Sequence, residues 1–277
     1  MADRTARRRH SAFAAALASL AMSLSLASPA QAVTIQDYIA LGDSYAAGVG
    51  GGEFLDRCGH TGNAYSEIAD DLRSVWDVTN VACGGATTQG VVESQLGLLD
   101  KKTDLVTITA GGNNLGFGNL VTYCGSLAFG EAINPVAFAQ ACAAATAYAE
   151  AQLSGPLQDD LVTMIKAVQK AAPKADIVVT GYPYLFDPIP EGLTDPPSLF
   201  IYQANDLAKR LNATIEAAAE ETGVVYVDVT DEFAGHGINS ATSWIVIGSM
   251  VLEENFHPNA AGHEAYFAAL YSESVYN

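Results

Sequence analysis

Four residues that are far apart in the chain could together support nucleophilic catalysis. Ser44 and Asn113 each follow an apolar stretch, Gly85 lies in a double-glycine turn, and His257 stands directly before a proline. A serine hydroxyl becomes a nucleophile when a base such as imidazole takes its proton, and backbone or amide N–H groups can stabilise an oxyanion. Each of these residue types also has ordinary roles in turns and helix caps. Catalysis therefore requires a fold that brings them together.

Strand and helix patterns alternate along the chain, which is typical of an α/β fold. The predicted strands cover residues 38–42, 75–82, 104–110, 176–181 and 224–229. The predicted helices cover residues 63–72, 89–98, part of the alanine-rich stretch 123–152, 156–172, 199–221 and the segment after Pro258. The strands are apolar on both faces, which indicates a parallel sheet covered by helices on both sides. Ser44 would then lie at the carboxyl edge of the sheet, where ligands bind in such folds.

The N-terminal residues have the pattern of an export signal. Arg4 and Arg7–Arg9 form a basic region, residues 12–26 are apolar and small, and Ala30-Gln31-Ala32 is an A-x-A cleavage site. We therefore predict a signal peptide over residues 1–32, a catalytic domain over residues 33–277 and a secreted, extracellular protein. The apolar stretch is too short for a membrane span, so no transmembrane segment is expected after cleavage.

The composition limits the partners of the exported chain. Removal of residues 1–32 takes away four Arg and one Asp, which changes the formal charge from −18 to −21. Such an acidic protein repels phosphate backbones at long range, which argues against a nucleic-acid partner. We expect a monomer.

Four cysteines remain in the predicted mature chain: Cys58, Cys83, Cys124 and Cys142. An even number in an exported protein indicates two disulfides, and no C-x-x-C pair indicates zinc. Three pairings are possible. We favour Cys58 with Cys83 and Cys124 with Cys142, because each bond would then fasten one long loop beside the predicted active edge.

The motifs resemble those of the GDSL, or SGNH, family of esterases and lipases. The family's four blocks correspond here to Gly42-Asp43-Ser44-Tyr45, Gly84-Gly85-Ala86-Thr87, Gly111-Gly112-Asn113-Asn114, and His257-Pro258 with Gly262-His263. All four occur in order across nearly the whole predicted mature chain. The G-x-S-x-G motif of conventional α/β-hydrolase lipases does not occur in the sequence.

The resemblance implies a flavodoxin-like three-layer α/β/α fold and a Ser-His mechanism that needs no metal or cofactor. Ser44 would be the nucleophile and His257 the general base, and the oxyanion hole would comprise the backbone N–H groups of Ser44 and Gly85 and the side-chain amide of Asn113. The implied activity is hydrolysis of carboxylic esters, either lipid esters or short-to-medium acyl esters. The alternatives are a carbohydrate or aryl-ester deacetylase and a catalytically silent lipid- or glycan-binding module of the same fold.

The chain departs from the family pattern at three positions. Glu254 stands where the family usually has the aspartate that orients the histidine, and a backbone carbonyl has that role in some relatives. Asn114 replaces the usual aspartate after the oxyanion asparagine. Asn239 occurs where close relatives often have a cysteine of a third disulfide, which predicts a less rigid proline-rich loop over residues 183–197.

Two other segments could shape a cleft. The glycines of residues 48–52 indicate a mobile rim. Residues 244–252 form the most hydrophobic segment of the predicted mature chain, and we interpret them as buried packing. The alternative is a wall that accepts an acyl chain.

Overall fold

Five parallel strands form the centre of the fold, as the sequence predicts. The computed structural model describes residues 34–250 and 252–277; the predicted signal peptide lies outside them. The strands are β1 (Tyr38–Gly42), β2 (Val78–Asn80), β3 (Leu105–Thr109), β4 (Asp176–Thr180) and β5 (Val225–Val227). Their order in the sheet is β2-β1-β3-β4-β5, which is the flavodoxin-like order of a doubly wound fold. All residues of β1 and β3 are buried, including the polar Thr107 and Thr109 of β3.

Nine α-helices lie in the described part of the chain. They are α1 (Ser44–Ala47), α2 (Tyr65–Ala69), α3 (Thr88–Ser94), α4 (Phe117–Asn119), α5 (Ser126–Ala128), α6 (Pro135–Leu153), α7 (Pro156–Ala171), α8 (Pro196–Thr222) and α9 (Ala260–Ser272). A six-residue π-helical turn, Leu120–Gly125, connects α4 to α5, and short 3₁₀ turns cover Leu96–Leu98, Asn113–Leu115 and Leu252–Glu254. Helix α7 packs between α3 and α8, whereas α2 packs against α9. These two groups form the outer layers of the three-layer fold.

Helix α8 begins earlier than the sequence predicts. We expected the proline-rich loop to include Pro196 and Pro197, but both lie in the first turn of α8, where a missing N–H group costs nothing. The side chain of Asp195 caps this turn by accepting a hydrogen bond from the backbone N–H of Ser198. The loop therefore ends at Asp195.

The sheet order creates a crevice at the carboxyl ends of β1 and β3. From β1 the chain moves outward to β2 and then crosses to β3 on the other side, so the loops after β1 and β3 diverge. Ser44 follows β1 and Asn113 follows β3. The topology thus places both residues at the point where doubly wound folds bind ligands.

Candidate active site

The turn that carries Ser44 is shaped by Gly42. Gly42 has a φ of +128°, and a Cβ atom at this position would lie 2.1 Å from the carbonyl oxygen of Thr109 on β3. Only glycine fits so close to the neighbouring strand. Asp43 is the N-cap of α1, and its side chain accepts a hydrogen bond from the backbone N–H of Tyr45 at 3.0 Å. Ser44 is therefore the first residue of α1.

Gln95 also holds this turn, and no pattern in the sequence indicates this role. Its side-chain oxygen accepts from the backbone N–H of Gly42 and its amide donates to the backbone carbonyl of Gly42, both at 2.8 Å. The side chain is buried. Gln95 thus pairs with the backbone N–H and carbonyl of Gly42, as the backbone of a neighbouring strand would.

Asp43 and Tyr182 connect the Ser44 turn to the Asn113 turn. The Tyr182 hydroxyl donates to the Asp43 carboxylate at 2.5 Å and accepts from the backbone N–H of Gly112 at 3.0 Å. Burial raises the pKa of Asp43 to about 7, although its hydrogen bonds to Tyr182 and Tyr45 act to lower it. The network fixes the relative positions of the turns after β1, β3 and β4.

His257 lies beside Ser44 although 213 positions separate them. Its Nε2 atom is 2.7 Å from the Ser44 Oγ, and its Nδ1 atom is 3.0 Å from the backbone carbonyl oxygen of Asn255. A carbonyl oxygen can only accept a hydrogen bond, so Nδ1 must carry the proton. Nε2 is then free to accept the proton of the serine hydroxyl, which is the arrangement that a general base requires.

Glu254 does not contact the imidazole in the way that we expected from its position. Its carboxylate accepts a hydrogen bond from the Ser249 hydroxyl at 2.6 Å. The group facing Nδ1 is the Asn255 carbonyl, because the backbone turns between residues 254 and 257. The expectation for Glu254 is thus corrected in favour of the backbone carbonyl.

We expect the Glu254→Gln variant to keep kcat within about threefold of the wild-type value. The amide oxygen of glutamine can still accept from Ser249, and the Asn255 carbonyl is unaffected. Steady-state kinetics on a soluble ester will measure this. Glu253→Gln controls for the loss of a charge from the same 3₁₀ turn. A loss of about 100-fold in Glu254→Gln alone would show that the carboxylate orients His257.

Burial lowers the pKa of His257 to about 4, and hydrogen bonds to backbone carbonyls only partly oppose this effect. The imidazole is then neutral, and competent as a base, over most of the pH range. We expect kcat/KM to be constant from about pH 5 to about pH 8 and to fall about tenfold per pH unit below about pH 4. A pH profile with a soluble ester will measure this, with recovery of activity at about pH 7 as the control for unfolding. An acid limb near the ordinary pKa of histidine, about 6.5, would contradict the enclosed position of the ring.

The three predicted oxyanion donors lie around the same crevice. Ser44 is at the start of α1, where backbone N–H groups have no acceptor within the helix. Gly85 has a φ of +80°, and the space beside its Cα is open. One N–H of the Asn113 amide donates to the carbonyl of Ala86 at 3.0 Å. This bond fixes the amide plane and leaves the second N–H for a ligand.

Asn114, which stands where the family usually has an aspartate, makes two hydrogen bonds with Thr88. Its side-chain oxygen accepts from the backbone N–H of Thr88 at 3.0 Å, and its amide donates to the Thr88 hydroxyl at 2.8 Å. An aspartate here would accept from the Thr88 hydroxyl instead of donating to it. The pair connects the Asn113 turn to the start of α3, directly after the Gly85 turn.

Both disulfides of the favoured pairing are present and lie near the site. Cys58 is bonded to Cys83, and the backbone N–H of Gly84 donates to the carbonyl of Cys58 at 2.9 Å. This disulfide therefore fixes the segment just before Gly85. Cys124 is bonded to Cys142 and joins the π-helical turn to α6.

Residues 48–51 of the glycine segment are packed and Gly52 is exposed, in contrast to the mobile rim that we expect over residues 48–52. A Cβ atom at Gly50 would lie 2.5 Å from the carbonyl oxygen of Pro258. His263 is buried beneath this segment, and its Nε2 lies 3.1 Å from the Val49 carbonyl. The glycines allow the segment to pack closely against the turn that carries His257.

Asn239 fastens the proline-rich loop without a disulfide. Its side-chain oxygen accepts from the backbone N–H of Asp187 at 2.7 Å, and its amide donates to the Asp187 carbonyl at 3.1 Å. The Asp187 carboxylate accepts in turn from the backbone N–H groups of Gly235 and Gly237. Hydrogen bonds thus hold the loop where we expected a loss of rigidity.

A cavity of about 1110 Å³ opens beside Ser44 and His257. Aromatic and aliphatic side chains form much of its wall, among them Phe117, Leu120, Phe186, Phe200, Leu207 and Phe256. Its volume slightly exceeds the range of about 300–1,000 Å³ that is usual for small-molecule sites. An apolar wall next to a nucleophile is suited to an acyl chain.

The hydrophobic segment over residues 244–252 is not the buried packing that we predicted. Ile245 is buried, but Ile247, Met250 and Leu252 are 53, 95 and 76% exposed. Ile247 and Leu252 line the cavity, which supports the alternative of an acyl-binding wall. Val251 lies outside the described residues.

Comparisons with known proteins agree with the fold and the motifs. The profile of the GDSL-like Lipase/Acylhydrolase family matches residues 40–265. Lipase 1 of Streptomyces coelicolor is 33% identical over 244 residues, which are 85% of this chain and 85% of that lipase. The crystal structure of an extracellular lipase from Streptomyces rimosus is similar with a TM-score of 0.75 and 31% identity, covering 86% of this chain and 99% of that one.

A second solved structure, phospholipase A1 from Streptomyces albidoflavus, has a TM-score of 0.73 and 33% identity to this chain. The similarity covers 87% of this chain and 99% of that one. The family match spans far more than half of the sequence and includes Ser44, Gly85, Asn113 and His257. The chain therefore belongs to the GDSL-like lipase/acylhydrolase family.

Proposed function

We propose that this protein is a secreted serine hydrolase of carboxylic esters that acts on lipid or other acyl esters. The observation that carries the proposal is the 2.7 Å contact between the Ser44 Oγ and the His257 Nε2 in the wall of a largely apolar cavity. Family membership supports the same activity. The lipase and phospholipase A1 names of its relatives favour a lipid ester as substrate.

The proposed reaction proceeds in two steps. The Ser44 oxygen bonds to the ester carbonyl carbon while its proton moves to Nε2 of His257, and the resulting oxyanion accepts hydrogen bonds from Ser44, Gly85 and Asn113. The carbon–oxygen bond to the alcohol then breaks as His257 returns the proton to the leaving oxygen. Water attacks the acyl-serine in the same way and releases the carboxylic acid.

A series of soluble nitrophenyl esters from acetyl to octanoyl tests the substrate class. Each methylene that enters the apolar cavity contributes about 0.8 kcal/mol of binding, so we expect kcat/KM to rise about threefold to fourfold per carbon until the accessible wall is filled. An optimum at acetyl would instead favour the deacetylase alternative. The ester concentrations must stay below those at which the esters form micelles, so that the effect of acyl-chain length on kcat/KM is not confused with an effect of substrate aggregation.

Covalent labelling tests the silent-module alternative. An alkyl fluorophosphonate reacts with an activated serine and displaces fluoride, which leaves a mass increase that peptide mapping can locate. We expect the label on Ser44. Absence of both labelling and ester hydrolysis would favour a binding module.

Export belongs to the same proposal. The leader over residues 1–32 has the pattern of a cleaved signal, and one of the similar lipases is described as extracellular. None of the helices in residues 34–250 and 252–277 combines the length and apolar character needed to cross a membrane. N-terminal sequencing of protein collected from culture medium would test cleavage after Ala32, and light scattering would test the expected monomer.

A further inference from the structure

Phe256, which directly precedes His257, has an unusual backbone conformation. Its φ is +66°, in the left-handed region that bulky L-residues rarely adopt. It lies between Asn255, whose carbonyl faces Nδ1 of the imidazole, and His257 itself. Rotation of this residue toward negative φ would move the Asn255 carbonyl relative to the ring. A contact that stabilises Phe256 therefore also stabilises the orientation of the general base.

Tyr45 supplies such a contact. Its hydroxyl donates a hydrogen bond of 2.6 Å to the backbone carbonyl of Phe256. The Phe256 N–H is bonded on the other side to the carbonyl of Val246 at 2.8 Å. Both polar backbone groups of Phe256 are thus hydrogen-bonded. Its N–H is bonded to Val246, next to the β-bridge between Ile245 and Pro258, and its carbonyl is bonded to Tyr45, 211 positions earlier in the chain.

Tyr45 connects the two halves of the site. It directly follows Ser44, and its backbone N–H is fixed by the Asp43 cap. Its ring lies 5.1 Å from the His257 ring, centroid to centroid, and meets the Tyr182 ring edge-on at the same distance. The side chain is buried, and burial raises the pKa of its hydroxyl well above the usual range, so it stays protonated as a donor.

We infer that Tyr45 is a positioning residue: its hydroxyl holds Phe256 in the left-handed conformation, so that the Asn255 carbonyl orients His257 toward Ser44. This inference rests on the proposed hydrolase function. Tyr45 does not react with the substrate in this account. It acts through the backbone of the turn that carries the base.

The Tyr45→Phe variant removes only the hydroxyl and keeps the ring contacts. We expect kcat to fall between about 10-fold and about 100-fold with KM changed by less than about threefold, because a misaligned base slows the chemistry more than it weakens binding. Tyr38→Phe is the matched control. It removes a buried hydroxyl that bonds to Thr107 at the opposite end of β1, and we expect nearly normal kinetics from it.

A spectroscopic measurement separates positioning from general destabilisation. The Nδ1 proton of His257 should give a downfield proton resonance protected from solvent exchange in the wild type. We expect Tyr45→Phe to broaden this signal, whereas Tyr38→Phe should leave it unchanged. An unchanged signal with unchanged kcat in Tyr45→Phe would overturn the inference.

A second substitution tests whether the effect passes through Phe256. Glycine adopts positive φ at no steric cost, so in a Phe256→Gly background the Tyr45 hydroxyl should matter less. We expect the fold-loss in kcat caused by Tyr45→Phe to be at least about threefold smaller in that background than in the wild type. Equal losses in the two backgrounds would overturn the proposed route. A wild-type enzyme with no Ser44-dependent hydrolysis would overturn the proposed function instead.

Discussion

We expect the Ser44→Ala variant to hydrolyse soluble nitrophenyl esters with a turnover at least about 10⁴-fold below that of the wild type, as the loss of a serine nucleophile causes in a serine protease. The substitution removes the Oγ atom that lies 2.7 Å from the His257 Nε2. Water must then attack the ester directly, helped only by the binding site and the oxyanion donors. Steady-state kinetics will measure the loss.

Two further variants make this result specific. Ser94→Ala removes a hydroxyl that bonds to the Gly90 carbonyl on the exposed side of α3, and we expect it to retain wild-type activity. The double variant Ser44→Ala, His257→Ala should lose little more than Ser44→Ala alone, because the two side chains act as one unit. If Ser44→Ala kept more than about one hundredth of the wild-type turnover, another nucleophile would be indicated.

The second large effect is expected at Asn113. We expect Asn113→Ala to reduce kcat by about 10²–10³-fold with little change in KM, because the amide N–H acts on the charge that develops in the transition state. The bond from Asn113 to the Ala86 carbonyl shows that the amide is already oriented before a substrate arrives. Preorganised donors of this kind lose little free energy to reorientation during the reaction.

A second substitution at residue 113 separates the effect of side-chain charge on kcat from the effect of side-chain shape. Asn113→Asp keeps the shape of the side chain but replaces a donor with an anion, so we expect a loss at least as large as that of Asn113→Ala. Asn119→Ala, on the exposed end of α4, is the control for asparagine removal in this loop. Normal turnover by Asn113→Ala would exclude the amide from the oxyanion hole.

The sequence predicts the strands of the fold and the turn that carries Ser44. Short motifs encode geometry: Gly42 permits the close approach to β3, and the apolar strands imply a parallel sheet whose carboxyl ends lie at one edge. The five strands were predicted at their observed places, and the helix over Pro156–Ala171 was predicted nearly to its ends. Local propensity and spacing suffice for such features.

The supporting contacts could not be predicted in this way. Gln95 and Tyr182 act across 53 and 139 positions, and a glutamine in an amphipathic helix ordinarily faces water. The Asn255 carbonyl, rather than Glu254, faces the imidazole, and it precedes a residue, Phe256, whose positive φ no sequence pattern indicates. The hydrophobic segment over residues 244–252 shows a further limit, because apolar composition does not distinguish a core from the wall of an open cavity.

The 213 positions between Ser44 and His257 have a consequence for biosynthesis. The ribosome makes the serine long before the histidine, and the two meet only when the loop before α9 lies against the turn after β1. Until then Ser44 is an alcohol of ordinary reactivity. A polypeptide that ends before residue 257 therefore lacks the imidazole that would take the proton of Ser44.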